Sequence, residues 1–204
     1  MKNSDQEIEV KFHVRDLAVL ERRLKDSGAL LEHPRVFERN DRYDTPAGDL
    51  SRARRVLRLR QDAAAHFTYK DPALPGQTVS QRREIELEID DFETGGRFLE
   101  ALGYQISVRY EKYRTTYRLE AVLVVLDEMP FGSFIEIEGP GASQIQAAAA
   151  RLGLDWEARC TDSYLAIFER LKQHYGLSVH DLTFDNLRGA HYDLGPIGLR
   201  PAGV

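Results

Sequence analysis

Three short segments of the sequence carry two glutamates separated by one isoleucine. They are Glu7-Ile8-Glu9, Glu84-Ile85-Glu86 and Glu136-Ile137-Glu138. Alternate side chains of a β-strand point to the same face, so each segment would place two carboxylates on one side and an isoleucine on the other. Paired carboxylates supply oxygen ligands, which suit hard cations such as Mg2+ or Mn2+.

Basic side chains alternate in the same way in other predicted strands. Arg58 and Arg60 share one face of their strand, and Arg82 shares a face with Glu84 and Glu86. The same-face bases are Lys11, Arg58, Arg60, Lys70, Arg82, Lys112 and Arg114. Arginine and lysine bind phosphate oxygens, arginine in bidentate fashion. Carboxylates for a metal and bases for phosphate, if they meet in one cavity, predict a site for a metal-bound polyphosphate.

The elements that carry these residues are predicted as about eight strands and three or four helices. Helices are expected after a cap at Asp16, over 92–102, after a cap at Ser143, and over 162–175. Two separate strands are expected over 106–113 and 115–126, and a turn or short helix over 178–186. Numerous strands with short connections favour an α+β fold, in which helices pack outside an eight-stranded antiparallel β-barrel.

The orientation of the charged faces decides what the charges can do. An ordinary amphipathic sheet would expose them to water. The amphipathic helices, however, need an apolar surface to cover, and the Ile, Leu and Val face of the strands supplies one. A closed barrel of about eight strands has room inside for one small ligand. Charges buried there cost several kcal/mol each unless they are paired or bind ions.

Composition excludes several other classes. The net charge of −5 and the pI of about 5.7 argue against general nucleic-acid binding. The single cysteine, Cys160, excludes an internal disulfide and fits a reducing cytoplasm. We expect no signal peptide at residues 1–6 and no membrane span, since no apolar run approaches roughly 20 residues. Residues 1–175 are predicted as one domain, and residues 176–204 as a partly mobile C-terminal extension.

The motifs, taken in order, resemble those of the CYTH superfamily, the triphosphate tunnel metalloenzymes. This superfamily includes class IV adenylyl cyclases, thiamine triphosphatases and inorganic triphosphatases. The matching segments run from Glu7 to about Phe168. They are Glu7-Ile8-Glu9-Val10-Lys11, Tyr43-Asp44-Thr45-Pro46, Val56-Leu57-Arg58-Leu59-Arg60, Thr68-Tyr69-Lys70, Arg82-Arg83-Glu84-Ile85-Glu86, Lys112-Tyr113-Arg114, Leu126-Asp127, Gly132-Ser133-Phe134-Ile135-Glu136-Ile137-Glu138 and Asp162-Ser163-Tyr164-Leu165.

The resemblance implies an eight-stranded antiparallel tunnel that binds a triphosphate with Mg2+ or Mn2+. By this likeness the seven bases given above would hold the phosphate chain. The metal would be held by Glu7, Glu9, Asp127, Glu136 and Glu138, with Glu84 and Glu86 as further candidates. Catalysis would depend on Lys11, Arg58, Lys70 and Glu136. The general base stays open between a glutamate of the cluster and a lysine with a lowered pKa.

Three functions are compatible with these residues. The favoured hypothesis is metal-dependent hydrolysis of inorganic, thiamine or nucleoside triphosphate. The second is a class IV adenylyl cyclase that converts ATP to cyclic AMP and pyrophosphate, and the third is a non-catalytic module that binds polyphosphate or nucleotide. The expected partner is a small-molecule triphosphate, without nucleic acid or membrane, and a homodimer is one assembly open to the chain.

Overall fold

The computed structural model describes residues 5–203, so the predictions for residues 1–4 and for residue 204 lie outside the described part. The described chain has nine strands and five α-helices. The strands are β1 (Gln6–Val14), β2 (Leu30–Asp44), β3 (Val56–Gln61), β4 (Ala65–Lys70), β5 (Ser80–Ile89), β6 (Gln105–Leu119), β7 (Val122–Met129), β8 (Gly132–Glu138) and β9 (Arg159–Cys160). The helices are α1 (Leu17–Asp26), α2 (Asp49–Arg52), α3 (Phe92–Ala101), α4 (Ala142–Arg151) and α5 (Tyr164–Tyr175).

Eight of the strands form an antiparallel sheet that closes in a ring. Their order is β5-β4-β3-β2-β6-β7-β8-β1, and β1 pairs with β5 to complete the circle. The closing register places Glu7 opposite Arg82, whereas the β1–β8 register places Lys11 opposite Glu136. The predicted α+β class and the antiparallel arrangement of eight strands are therefore confirmed.

The outer face of the ring is apolar and is covered by helices. Val10, Phe12 and Ile137 are completely buried there against Leu20 of α1 and Ile145 of α4. Burial of such side chains contributes about 1.5–3 kcal/mol each. This layer therefore supplies much of the stability, and it fixes which strand face points inward.

Helix α3 packs so closely on the sheet that two of its positions require glycine. A Cβ atom at Gly95 would lie 2.5 Å from the Ile89 side chain, and one at Gly96 would lie 3.0 Å from the Tyr43 hydroxyl. Glycine lowers helix propensity by about 1 kcal/mol. Here the close approach of helix and sheet offsets that cost, and the helix predicted over 92–102 is confirmed.

Two predicted elements are wrong in detail. Residues 105–119 form the single long strand β6 rather than ending near Tyr113, because β6 pairs with β2 along nearly its whole length and with β7 from Tyr113 onward. The chain turns instead at Glu120, whose φ is 55°. Ser143 does not cap α4, since the N-cap is Gly141, without a side-chain hydrogen bond, and the Ser143 hydroxyl donates to Gln144.

The segment after α5 follows one of the two predicted alternatives. A turn begins at residue 184 and no helix forms over 178–186, where Asp181 accepts a hydrogen bond from the Arg109 N–H at 2.9 Å instead of capping its own segment. Further on, Leu194 and Leu199 are buried in the same core as Phe168 of α5. The domain limit near residue 176 and the mobility of the extension stay predictions. No helix within residues 5–203 has the length and apolar character needed to cross a membrane.

Candidate functional site

The inner face of the ring lines a cavity of about 850 Å³. In β1, Glu7, Glu9 and Lys11 line it, whereas the alternating residues Val10 and Phe12 face the outer core. Of the predicted site residues, all except Asp127 line this cavity. They are Glu7, Glu9, Lys11, Arg58, Arg60, Lys70, Arg82, Glu84, Glu86, Lys112, Arg114, Glu136 and Glu138. Strand alternation has thus gathered charges from distant parts of the chain around one space.

The first ionic cluster joins three neighbouring strands. Lys70 of β4 donates to both Glu7 carboxylate oxygens, at 2.7 and 3.0 Å. The Arg82 guanidinium of β5 donates to Glu7 at 2.8 Å, and Lys70 also lies 3.3 Å from Glu84. The contacts of Glu7 with Lys70 and Arg82 exist because closure of the ring places β1 beside β5.

A second cluster surrounds Lys11 and Glu136. The Lys11 ammonium lies 2.8 Å from Glu9 and 3.1 Å from Glu136, and Arg114 lies 2.6 Å from Glu136. Burial opposes the charge on Lys11, but Glu136 and Glu9 outweigh it and raise its pKa above the ordinary value. Burial likewise opposes ionisation of Glu136, but Lys11 and Arg114 hold its pKa well below the ordinary value. Both carboxylates thus favour the charged form of Lys11, and the choice of general base between a glutamate and a lysine stays a prediction.

Asp127 is completely buried and anchors the bases rather than lining the cavity. It accepts hydrogen bonds from Arg114 at 2.8 and 2.6 Å, from Lys112 at 3.1 Å and from the Tyr164 hydroxyl at 2.8 Å. Both carboxylate oxygens are engaged, so this geometry suits the positioning of Lys112 and Arg114. The predicted role of Asp127 as a metal ligand stays a prediction.

A third cluster holds Arg58. Its guanidinium donates to the Thr68 hydroxyl at 2.9 Å and to the Tyr110 hydroxyl at 3.2 Å. Neighbouring Arg60 lies 3.1 Å from Asp62 and 3.4 Å from Glu86. These contacts fix the orientation of both guanidinium groups, and both arginines still line the cavity.

Sequence reasoning missed several residues of this site. Glu38 and Arg42 occupy the inner face of β2, and Tyr110 and Tyr164 contribute hydroxyls to the ionic clusters. The pattern did show Glu38 and Arg42 at the same parity, which is the signal that could have found them. The Tyr164 ring packs in the core, but its hydroxyl reaches Asp127.

The carboxylates fit a divalent cation that is shared with a substrate. No group of three or more His, Cys, Asp or Glu side chains within residues 5–203 is arranged to hold a metal by itself. Glu9 and Glu138, however, are direct partners across β1 and β8, and the Lys11 ammonium, 2.8 Å from Glu9, offsets part of the repulsion between the two carboxylates. Mg2+ is commonly held by one or two protein carboxylates together with substrate phosphates and water. The donor set therefore suits a metal that binds with a phosphate chain.

Comparison with known families gives one clear match. The family described as the CYTH domain matches residues 5–157. No curated protein matches the chain significantly.

Several solved structures share the fold. A candidate adenylate cyclase from Vibrio parahaemolyticus has a TM-score of 0.72 and 21% identity, over 80% of this chain and 97% of that one. A protein from Pyrococcus horikoshii OT3 has a TM-score of 0.66 and 25% identity, over 78% of this chain and 98% of that one. A candidate adenylyl cyclase from Hippeastrum, reported to have a dominant triphosphatase activity, has a TM-score of 0.61 and 21% identity, over 80% of this chain and 95% of that one.

Proposed function

The chain belongs to the CYTH family, and from this premise we propose that it is a divalent-metal-dependent triphosphatase. Its ring of strands would act as a barrel-shaped tunnel in which a triphosphate is bound and hydrolysed. The observation that carries the proposal is that three buried lysines and the buried Arg58 line one cavity together with further arginines and carboxylates. A polyanion with its metal is the ligand that satisfies both kinds of charge.

Binding would proceed by exchange of partners. In the free protein Lys11 and Arg114 are neutralised by Glu136, and Lys70 by Glu7. Buried ion pairs gain little net energy, because desolvation offsets their attraction. Phosphate oxygens can therefore replace the carboxylates on the bases, while the metal replaces the bases on the carboxylates. Glu9 and Glu138, with Glu136 beside them, are the residues that would hold Mg2+ or Mn2+.

The chain's own residues then orient the phosphate and stabilise developing charge. Arg58 and Lys70 are preorganised cations, and their attraction to the phosphoryl oxygens would become stronger as negative charge develops there. A bound divalent cation would supply further charge stabilisation and position a water. Lys11 and Arg114 would turn from Glu136 to the phosphate oxygens, and the cation would take their place beside that carboxylate. The general base would then be a carboxylate of the cluster that does not hold the cation.

The second candidate is adenylyl cyclase activity, which the description of the Vibrio neighbour brings to attention. The phosphate-binding residues would serve both reactions, so the adenine site discriminates between them. Among the described lining residues the aromatic rings are Tyr110 and Tyr164, and their hydroxyls already bond Arg58 and Asp127. This arrangement offers little for adenine stacking and favours hydrolysis.

A substrate panel tests the proposal. Inorganic triphosphate, thiamine triphosphate and ATP are incubated with Mg2+, Mn2+ or EDTA, and both phosphate and cyclic AMP are measured. We expect phosphate release that EDTA abolishes. The Glu136→Ala/Glu138→Ala double variant should lose at least about a thousandfold in kcat/KM, because the proposed metal ligands are gone. The matched control is Glu93→Ala/Glu100→Ala, which removes two exposed glutamates from α3.

Two results would contradict the proposed hydrolysis, and a third would contradict the assignment of the carboxylates. Cyclic AMP formed from ATP without phosphate release would identify a cyclase. Calorimetric binding of triphosphate without turnover under either metal would identify a binding module. Full activity in the double variant would remove the assignment of the carboxylates.

A further inference from the structure

One edge of the cavity carries arginines that are not neutralised as the interior bases are. We name this edge the α2 rim. It consists of Arg42, Ser51, Arg54, Arg55 and Ser107, all of which line the cavity. The rim lies where β2 ends and β3 and β6 begin, since Arg42 pairs across the sheet with Arg58 and with Val108. The rim thus continues the row of bases that starts with Arg58.

Arg42 lacks the partners that the interior bases have. Its Nε is buried without a hydrogen bond, and its guanidinium forms no ion pair with another residue of the range 5–203. Burial lowers the pKa of Arg42, and the positive charges of Arg58 and Arg82 add to this effect, whereas Tyr110 and Asp44 oppose it. A partly buried cation among other cations is costly unless an anion joins it. No carboxylate of residues 5–203 forms a direct ion pair with Arg42, so its guanidinium is open to an anion supplied by a ligand.

Arg54 has a backbone conformation that an arginine adopts at a cost. It follows the C-cap residue of α2 and has a φ of 55°, in the left-handed region where glycine is the usual residue. Its guanidinium makes no hydrogen bond or ion pair within the described chain, yet it lines the cavity. Arg54 therefore places an unpaired guanidinium at the cavity wall, at a backbone position that glycine would adopt without strain.

The rim is held in place by Asp44. Its carboxylate accepts hydrogen bonds from the N–H groups of Leu50 and Ser51, at 2.9 Å each, and from the Ser51 hydroxyl at 2.6 Å. These bonds fix α2 and the residues that follow it. Arg55 lies 3.9 Å from Asp71, which is a weak contact for an exposed pair. Three arginines are thus presented together, and none of the described rim residues is acidic or aromatic.

Resting on the proposed function, we propose that the α2 rim is a distal phosphate subsite that accepts a further phosphate of a chain bound at Arg58. The preferred substrate is then an unbranched inorganic chain of four or more phosphates. Bidentate arginine contacts suit phosphate oxygens in particular. A nucleoside triphosphate would place an uncharged sugar at this rim and leave Arg42 and Arg54 without an anion.

The test compares the affinities of two chain lengths. Calorimetry in EDTA, which suppresses turnover, measures binding of inorganic triphosphate, inorganic tetraphosphate and ATP. We expect the wild type to bind tetraphosphate roughly tenfold more tightly than triphosphate, and ATP no better than triphosphate. Arg54→Gly should reduce the tetraphosphate preference to about twofold or less, and it should fold well because glycine suits the left-handed backbone.

The control is Arg52→Ala. Arg52 is an exposed residue of α2 that bonds Asp49 and the Ala47 carbonyl, outside the cavity lining. The Arg52→Ala substitution removes the same charge two positions from Arg54 and should preserve the preference for tetraphosphate. Arg42→Gln should lower the preference for tetraphosphate, as Arg54→Gly does.

The outcomes separate the subsite from the hydrolysis. A preference that Arg54→Gly leaves unchanged, or a wild type that binds both phosphate chains equally or binds neither, overturns the subsite. If triphosphate is hydrolysed with Mg2+ or Mn2+ in that case, the proposed function survives alone. If the preference is present and is lost in Arg54→Gly but no phosphate is released from either chain, the subsite stands and the hydrolase proposal fails.

Discussion

The two faces of the same strands differ in almost every physical respect. On the outer face of β8, Ile135 and Ile137 are completely buried against helices, and on the inner face Glu136 is buried among cations. Residues adjacent in sequence therefore belong to different environments. The outer face holds the ring together, and the inner face holds the charges that a ligand can use.

The difference arises because a ligand can replace one member of an ion pair, whereas nothing replaces the apolar contacts of a buried side chain. Exposure of apolar side chains to water raises the free energy of the protein, so the outer layer has one stable arrangement. An interior ion pair gains little in net terms, because desolvation offsets its attraction, and a ligand of similar charge can replace one member. The inner face is thus suited to binding because its pairs are replaceable.

The largest effect is expected on the inner face. Glu136→Gln removes the charge that pairs with Lys11 and Arg114 and should lower kcat/KM by about a thousandfold, equivalent to about 4 kcal/mol of transition-state stabilisation. The free energy of unfolding should change by less than about 2 kcal/mol, because Lys11 keeps Glu9 and Arg114 keeps Asp127. Kinetics and urea unfolding measure the two quantities. The exposed Glu157→Gln serves as the control, and a folding loss as large as the activity loss would break the comparison.

The neighbouring residue should show the opposite behaviour. Ile137→Ala leaves a cavity in a completely buried site and should reduce the free energy of unfolding by about 3 kcal/mol. Ile137→Val should cost about 1 kcal/mol. In the folded fraction kcat/KM should stay within about threefold of wild type, since no inner charge is altered. A large activity loss in the alanine variant at full folding would show that the two faces are not independent.

Much of the inner face could be predicted from the sequence because strand alternation is a local property. Glu7 and Glu9 share a parity with Lys11, so one strand sufficed to place them together. The partners could not be predicted in the same way. Lys70 binds Glu7 because β1 closes the ring against β5, and that pairing depends on the whole topology.

The failures also have identifiable causes. Glu38 and Arg42 lie on a strand whose pairing with β6 shifts register near His33 and again near Arg42, which weakens any assignment of faces. The break expected near Tyr113 did not occur, because a long strand can continue through charged residues when both its edges are paired. The hydroxyl of Tyr164 reaches the site from α5, and helix periodicity shows only the apolar side of such a residue.

The buried Glu38 of the inner face should make the free energy of unfolding depend on pH in acid. Burial opposes ionisation of Glu38, but Lys112, Arg114 and nearby arginines outweigh it and lower its pKa to about 2. Above pH 4.5 the carboxylate is ionised in both states, so its stabilising contribution is complete. As pH falls from about 4.5 towards 2 the unfolded chain takes up the proton first, and up to about 3 kcal/mol is lost.

Glu38→Gln should remove that dependence. The free energies of unfolding of wild type and variant, measured in urea between pH 6 and pH 3, should converge as the pH falls. Glu93→Gln, at an exposed position of α3, should run parallel to wild type. A constant gap between wild type and Glu38→Gln across this range would show that Glu38 does not carry the lowered pKa.

The smallest effect is expected where the two regions meet, at Tyr164. Its ring packs in the apolar core beside Phe134 and Phe168, whereas its hydroxyl donates to Asp127 at 2.8 Å. Tyr164→Phe keeps the ring and removes the hydrogen bond, so the free energy of unfolding should fall by only about 1 kcal/mol. Because Asp127 positions Lys112 and Arg114, KM should rise by about tenfold while kcat changes less.

Tyr175→Phe provides the matched control for this residue. Tyr175 lies at the other end of α5, and its hydroxyl bonds the Asp193 carbonyl far from Asp127. The control should lose similar stability and keep the wild-type KM. If Tyr164→Phe also keeps the wild-type KM, Asp127 is positioned by its two bases alone, and the outer helix contributes packing without orienting the inner charges. A rise in KM in Tyr164→Phe alone would mean that the helical layer reaches through the sheet to set the geometry of the cavity.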